Sequence, residues 1–465
     1  MKKQIHIAAL CALALVPAGC AIMARDAQVR EPDAELLHLA VHQLSSVIVY
    51  DIFSPPQASR VYAYASVAAY EVLRQEHPQY ASLAGQVNGL SAIPAPDAKA
   101  EISYPLAGVH AFMSVGRMMT FSRPRMDSLR SAMDARIRSG GMSEEVYARS
   151  IAYGDTVAAR VLAWAAEDHF VQTRGYPKYT VVAKPGLWVP TPPAYMDAVE
   201  PNWPALRPFV MDSASQFKPP PPTPFDTAKN SAFYRDAKEV MDAVKNLTTE
   251  QRAIASFWDC NPYVMHVQGH AMFATKKITP GGHWMGIVTI AAQKADASML
   301  QSAEAYARTS IALADAFISA WDEKYRSRLV RPETAINSML DESWEPLLQT
   351  PPFPEYPSGH SVVSNAAATV LSSQFGAGFA FVDSSEVEYG LPARSFTSFE
   401  AAAAEAAISR LYGGIHYRPA IEHGAVQGKA VGEFVNARVR TSPQSVAARR
   451  AVAPASAPAA TGGRH

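Results

Sequence analysis

The sequence predicts an all-α fold in which two helical bundles pack together, joined by an ordered proline-rich strap. Three observations carry that reading. Apolar residues recur at spacings of three and four through most of the chain, alternating strand-like patterning is almost absent, and one proline- and aromatic-rich stretch separates two groups of helical segments. The 465 residues and 48% apolar content can fill a substantial core. Lys plus Arg total 42 and Asp plus Glu total 42, so no field of one sign covers the chain. Nucleic acid is therefore not an expected partner, and any cationic cluster must be a local device.

The first residues, MKKQIHIAALCALALVPAGC, give a basic start, an apolar run from Ile5 to Val16 and small residues before Cys20, the pattern of an export signal over residues 1–20. Ala18 and Gly19 before Cys20 resemble the bacterial lipoprotein cleavage box, in which the cysteine is lipidated. Pro17 stands where that box usually has leucine, which keeps plain signal cleavage open. The expectation is an exported protein, either periplasmic or tethered to a membrane through a lipid on Cys20. No later stretch reaches the roughly 20 apolar residues of a membrane span. With Cys11 removed and Cys20 at the cut, Cys260 is the only thiol in the body; it is read as a buried small apolar residue.

Residues 31–170 are assigned to an N-terminal bundle. Helices are expected from Leu36 to Phe53 and from Ala58 to Leu73, broken apart by Ser54, Pro55 and Pro56. Others follow from Leu106 to Phe121, Met126 to Arg138 and Ser143 to Asp168, the last opened by a serine and two glutamates. Residues 171–230 form the strap, where Trp188, Tyr195, Trp203, Phe209 and Phe225 are poor linker residues and predict order. Residues 231–440 form the C-terminal helical domain. It opens with a helix from Ser231 to Leu247 and a second one capped by the Thr248/Gln251 box. Ala303, Ala307, Ser310, Ala314, Phe317 and Trp321 then give a long helix one apolar stripe, with Lys324 at its C-terminal end. A helix from Thr397 to Tyr412 is expected to use Thr397 and Glu400 as a capping box and Gly413-Gly414 as its stop. Residues 441–465, rich in Ala, Pro, Ser and Gly, read as a disordered tail.

Three segments carry chemistry. KYRSRLVRPETAIN begins at Lys324 and places Arg331 before a proline. PPFPEYPSGHSVVSNAAATVL, residues 351–371, sets Ser358 and Gly359 at a helix start, where unpaired amides and the positive dipole end bind an oxyanion. Gly359 allows close approach, Ser358 can donate, and His360 can hand over or remove a proton. SRLYGGIHYRPAIEHG, residues 409–424, puts Arg410 in a last helical turn, and Gly413 and Gly414 let the chain bend so that His416 returns toward the same place.

In this order and spacing, Lys324 with Arg331-Pro332, then Pro357-Ser358-Gly359-His360, then Ser409-Arg410 with His416, resemble the signature of one superfamily. It joins type 2 phosphatidic acid phosphatases, bacterial class A acid phosphatases and vanadium-dependent haloperoxidases. The resemblance implies an active site in the C-terminal bundle. It makes His416 either a phosphorylated nucleophile or the axial ligand of vanadate, and His360 the acid–base residue. Lys324, Arg331, Ser358, Gly359 and Arg410 would hold the oxygens. Chain length, Trp321, Phe353 and the runs WVPTPP, FWDCNP and TPGGHW are similar to the haloperoxidase-related branch, over most of the chain beyond the signal.

That branch implies an aromatic residue, here Phe353, bordering a halide site, and a carboxylate paired with the oxyanion-binding arginine, here assigned to Asp259. His283 in TPGGHW is read as a structural residue opening a helix. The family pattern places aspartate four residues after the second histidine; Ala420 occupies that position, and Glu422 is the candidate substitute. The expected function is a haloperoxidase-like enzyme with a vanadate cofactor, taking hydrogen peroxide and halide. The alternatives are a periplasmic phosphatase that needs no cofactor, acting on a phosphate monoester through phosphohistidine, and an oxyanion-binding lipoprotein without turnover.

Overall fold

The computed structural model describes residues 34–442. The export segment with Cys20, and residues 443–465 of the expected tail, lie outside the described residues. The first group of helices is α1 (Glu35–Tyr50), α2 (Pro55–Leu73), α3 (Tyr104–Met119), α4 (Arg123–Ser139), α5 (Glu144–Ala166) and the single turn α6 (Phe170–Thr173). Pro55 and Pro56 open α2 rather than merely separating it from α1. They occupy the first turn, where a missing N–H costs nothing, while the Ser54 side chain accepts from the Gln57 amide. Ser143 caps α5 in the same way through the Val146 amide.

The second group comprises α7 (Ala232–Lys245), α8 (Thr249–Phe257), α9 (Pro280–Lys294), α10 (Met299–Ser327), α11 (Pro332–Met339), α12 (Gly359–Phe375), α13 (Phe399–Tyr412) and α14 (Arg418–Arg438). The Thr248/Gln251 box caps α8 as expected, and an unforeseen box of Ser298 and Gln301 caps α10. The cap of α13 is one residue later than expected. Ser398, not Thr397, accepts the Ala401 amide, which leaves Glu400 inside the first turn. Strand structure is confined to two antiparallel hairpins among the described residues. β1 (Val264–Gln268) pairs with β2 (Ala271–Thr275) with Val264 opposite Thr275, and β3 (Phe381–Asp383) pairs with β4 (Arg394–Phe396) with Asp383 opposite Arg394. No helix of the described residues is long and apolar enough to cross a membrane.

α10 is the shared wall of both bundles, packing on α2 from one side and on α12 from the other. Its expected single stripe is too narrow a description. Glu304, Arg308 and Asp315 are buried along with the apolar positions, and one continuous apolar cluster runs from α1 and α2 through α10 into α12. Asp315 fastens the strap. Its carboxylate accepts the amides of Phe209 (2.6 Å), Val210 (2.9 Å) and Met211 (3.0 Å), and burial pushes its pKa up to about 6. Trp188, Trp203 and Phe209 are buried, whereas Tyr195 is 62% exposed and anchors nothing. Thr441, assigned to the tail, is buried and donates to Glu304.

The helix that carries the second site histidine's segment docks through glycine. Gly424, Gly428 and Gly432 form one face of α14 against α12, where Cβ atoms would lie 3.0 Å from Ser358 O, 2.0 Å from Val362 O and 2.7 Å from Ala366 O. Backbone meets backbone, which fixes the start of α12 relative to α14. Gly428→Ala should therefore destabilise the protein by at least about 1–3 kcal/mol. Thermal unfolding checks this, with Gly378→Ala, where no atom lies within 4 Å of the added methyl, as the unaffected control.

Candidate active site

Local sequence dictates how each site residue arrives. α10 ends where Arg328 takes a left-handed conformation (φ 52°), just after Lys324, and Pro332 then begins α11 with Arg331 as its cap residue. The prolines of residues 351–357 keep that segment out of any helix until Ser358 caps α12. Beyond α13, Gly414 (φ 77°) turns the chain so that His416 comes back beside Arg331.

Lys324, Arg331 and Arg410 are all buried, and backbone carbonyls hold them. Lys324 Nζ donates to the carbonyls of Pro354 (3.0 Å), Glu355 (2.9 Å) and Pro357 (2.5 Å). Arg331 Nε donates to Phe353 O and Nη1 to Ile415 O, each at 2.8 Å. Arg410 Nη2 donates to Trp258 O at 2.6 Å, and its Nε to Ser409 Oγ at 2.9 Å. Burial lowers the pKa of each. Lys324 falls well below the usual amine range, with Arg331 adding to the effect, and Arg331 falls to about 10. All three protons of Lys324 are used by carbonyls, so in this geometry it acts on an anion through its charge and through the segment it holds.

His416 is the centre. Its Nδ1 lies 2.8 Å from Glu355 Oε1, an oxygen that also accepts the Tyr417 amide at 2.9 Å. The imidazole must therefore be the donor at Nδ1, and Arg331 Nη1 donates to Nε2 at 3.2 Å. Burial, with Arg331 and Lys324 next, holds its pKa well below the usual range, so the ring is neutral with its lone pair on Nε2. Two further groups are primed for an occupant: Arg331 Nη2 and His360 Nε2 are buried with no hydrogen-bond partner. His360 is itself half-buried; burial and then Arg410 hold its pKa well below the usual range, so the ring is neutral.

Ser358 caps α12: its hydroxyl oxygen accepts the Ser361 amide (3.3 Å) and the Ser361 hydroxyl (2.9 Å), which leaves its own O–H to donate, and its amide is given to Ala420 O (3.0 Å). Helix geometry leaves the Gly359 and His360 amides as the donors of α12 with no intrahelical partner. Gly359, His360, Arg410 and His416 share a cavity of ≈ 30 Å³ with the Trp321 and Phe353 rings, whose centroids lie 4.9 Å apart.

Residues 304–445 match the family described as VCPO second helical-bundle domain. A bacterial vanadium-dependent iodoperoxidase of solved structure is 51% identical, with a TM-score of 0.84, the match covering 88% of this chain and 97% of that one. The chain belongs to the vanadium-dependent haloperoxidase family. Holo-type and apo-type bacterial vanadium-dependent chloroperoxidases share the fold at 19% identity each, with TM-scores of 0.63 and 0.61. Those matches cover 84% and 82% of this chain and 94% of each of theirs. No curated protein matches the chain.

In this haloperoxidase-family chain, two expected carboxylates are misplaced. Asp259 forms its ion pair with Lys277 and reaches Arg410 only through space. Glu422 is exposed and pairs loosely with Arg418. Ala420 and Glu422 stand two positions apart on α14, so their side chains point to opposite faces and one cannot replace the other. The residue that fixes the His416 tautomer is Glu355, inside PPFPEYPSGH. The signal was an acid among prolines two residues after Phe353, in a segment whose return toward His416 no local pattern shows.

The haloperoxidase donor set fits vanadate: one imidazole lone pair, unpaired Arg331 and His360 nitrogens, and a helix start. A Cβ at Gly359 would lie 3.6 Å from Trp321 Cζ3 and 3.8 Å from Lys324 Cε, ordinary contacts inside the cradle. Gly359→Ala should fold with an unchanged melting temperature yet bind vanadate roughly 10–100-fold more weakly, since it crowds a charge-assisted amide contact. Parallel melting and vanadate titration separate the two effects.

Glu355 supplies a second check. Burial raises its pKa from 4.5 to about 7, so the folded chain holds this proton more tightly than the unfolded chain. Its stabilising contribution is full below the unfolded value and is lost as pH rises through the folded one. Glu355→Gln lacks that loss, so its stability relative to wild type should climb as pH rises from 4.5 to about 7. Its vanadate affinity should fall roughly 10–100-fold, because the amide no longer enforces one tautomer. Paired melting curves across that pH range and a vanadate titration measure both.

Proposed function

We propose that this chain oxidises halide with hydrogen peroxide at vanadate held on His416 Nε2, and that iodide is the favoured halide. The observation that carries the reading is the neutral His416, donating to Glu355 at 2.8 Å and keeping its Nε2 lone pair toward Arg331. When bound, vanadate supplies a Lewis-acidic centre that activates peroxide. The chain's own residues do the rest. Arg331 and Arg410 give fixed positive charge, and Lys324 supports it from behind the 354–357 carbonyls. His360 moves protons, and the balance requires one: peroxide, halide and a proton give hypohalous acid and water. Trp321 and Phe353 wall the cavity with polarizable rings, suited to a large soft anion. The iodide preference draws on the 51% identical iodoperoxidase. Export, with lipid attachment at Cys20, belongs to the same reading, because oxidant would then be made outside the cytoplasm.

The test uses protein lacking residues 1–20, stripped of oxyanions and titrated with orthovanadate. Iodide oxidation should appear saturably with vanadate, exceed bromide oxidation and vanish in His416→Ala together with vanadate binding. Phosphate monoester hydrolysis without halide oxidation would overturn the proposal.

A further inference from the structure

Beside the oxyanion cavity lies a second cluster that its chemistry does not use. Cys260 follows α8, His283 sits in the first turn of α9, and Glu386 follows β3; all three are buried. Cys260 Sγ is 3.4 Å from His283 Nδ1, Glu386 Oε1 is 3.1 Å from the same nitrogen, and the sulfur and that oxygen are 3.9 Å apart.

We propose that Cys260, His283 and Glu386 form a binding site for a zinc-class divalent cation, separate from the oxyanion site. Zinc bonds of about 2.0–2.3 Å at tetrahedral angles place neighbouring donor atoms roughly 3.3–3.6 Å apart, close to the triangle seen here. Without an ion, Glu386 Oε1 alone takes both the ring nitrogen and the thiol, the latter over a long 3.9 Å contact. A cation at their common focus would replace both contacts with bonds to all three donors.

The surroundings are those of a built site. His283 Nε2 lies 2.8 Å from Asp383 Oδ2, and Asp383 is itself held by the Ser385 amide (3.0 Å) and hydroxyl (2.6 Å). This is the carboxylate–histidine arrangement that directs the other ring nitrogen to a metal. The imidazole stacks on Trp258 with centroids 4.5 Å apart and an interplanar angle of 16°, which fixes the ring plane. Gly286 lets the 383–386 loop lie on α9, since a Cβ there would come 2.9 Å from Ser385 Cβ.

Thiolate, imidazole and carboxylate together favour zinc over magnesium or calcium, which take oxygen donors. Binding takes the proton from Cys260, which burial otherwise keeps on sulfur, and releases it to solvent; the thiolate and Glu386 then balance the two positive charges. Among the described residues these three are the only such group of protein donors, which leaves further positions on the ion to water. Cys260 also lines the oxyanion cavity, so the ion would pin its wall from behind.

The experiment is metal analysis of chain purified without chelator, followed by zinc removal and cobalt(II) titration. One zinc per chain and a near-ultraviolet thiolate-to-cobalt band are expected. Cys260→Ser should abolish the band, Asp383→Asn should weaken cobalt binding roughly 10–100-fold, and His360→Ala should leave the band unchanged. Glu386→Gln serves as a second ligand variant should Cys260→Ser fail to fold. Folded wild-type protein with neither stoichiometric metal nor a band, or a band that persists in folded Cys260→Ser or Glu386→Gln at unchanged affinity, would overturn the site and leave a thiol–imidazole hydrogen bond in its place.

Discussion

Three buried cations, Lys324, Arg331 and Arg410, are held by backbone carbonyls rather than by carboxylates, and the active site is built around that constraint. Burying an unpaired charge costs several kcal/mol, so each proton needs an acceptor. Acidic partners would cancel the charge an oxyanion requires. Carbonyl dipoles satisfy the hydrogen bonds without removing the net positive charge. Interior helical carbonyls are committed to their own ladders, so Arg410 uses Ala255 and Trp258 at the spent end of α8. The acceptors at residues 353–357 and 415 lie in irregular backbone, and the prolines at 351, 352, 354 and 357 keep the first of these segments irregular.

Glu355 is consistent with the same logic. Its carbonyl accepts from Lys324 while its side chain turns to His416, so one residue serves the cation through its backbone and the ligand through its carboxylate. Loops alone would not keep such contacts within a few tenths of an ångström. The rigidity comes from α10, buried between the bundles, and from the glycine face of α14, which brings Ser358 and its segment against Ala420.

The helical architecture was legible because apolar spacing and caps are local signals, and most helix starts fell within a residue or two of serine or threonine. The cationic and histidine positions were legible because their spacing along the chain is characteristic. What the sequence concealed were the partners. Asp259 looked suitable until Lys277 took it, and Glu355 looked incidental because only the fold brings residue 355 to residue 416. The α14 glycines sit four apart, a signal present in the sequence but meaningful only once a neighbouring helix is known to lie there. His283 was read as a structural residue at the start of α9; it sits in that helix's first turn, and what the sequence did not show is that Asp383 and Trp258 hold its ring.

The N-terminal bundle has a chemical reason to be present. Pro55 and Pro280 line the oxyanion cavity, and each is the first residue of its helix, α2 and α9; Gly359, the first of α12, lines it as well. Three helices thus begin at one cavity, each presenting the positive end of its dipole, worth about 0.3–1 kcal/mol apiece toward an anion. Proline at two of those starts removes an N–H that would compete for hydrogen bonds, so α2 and α9 contribute field while α12 contributes directed amides. An anion site built this way needs the first bundle for its electrostatics, although every residue that would touch the anion belongs to the second.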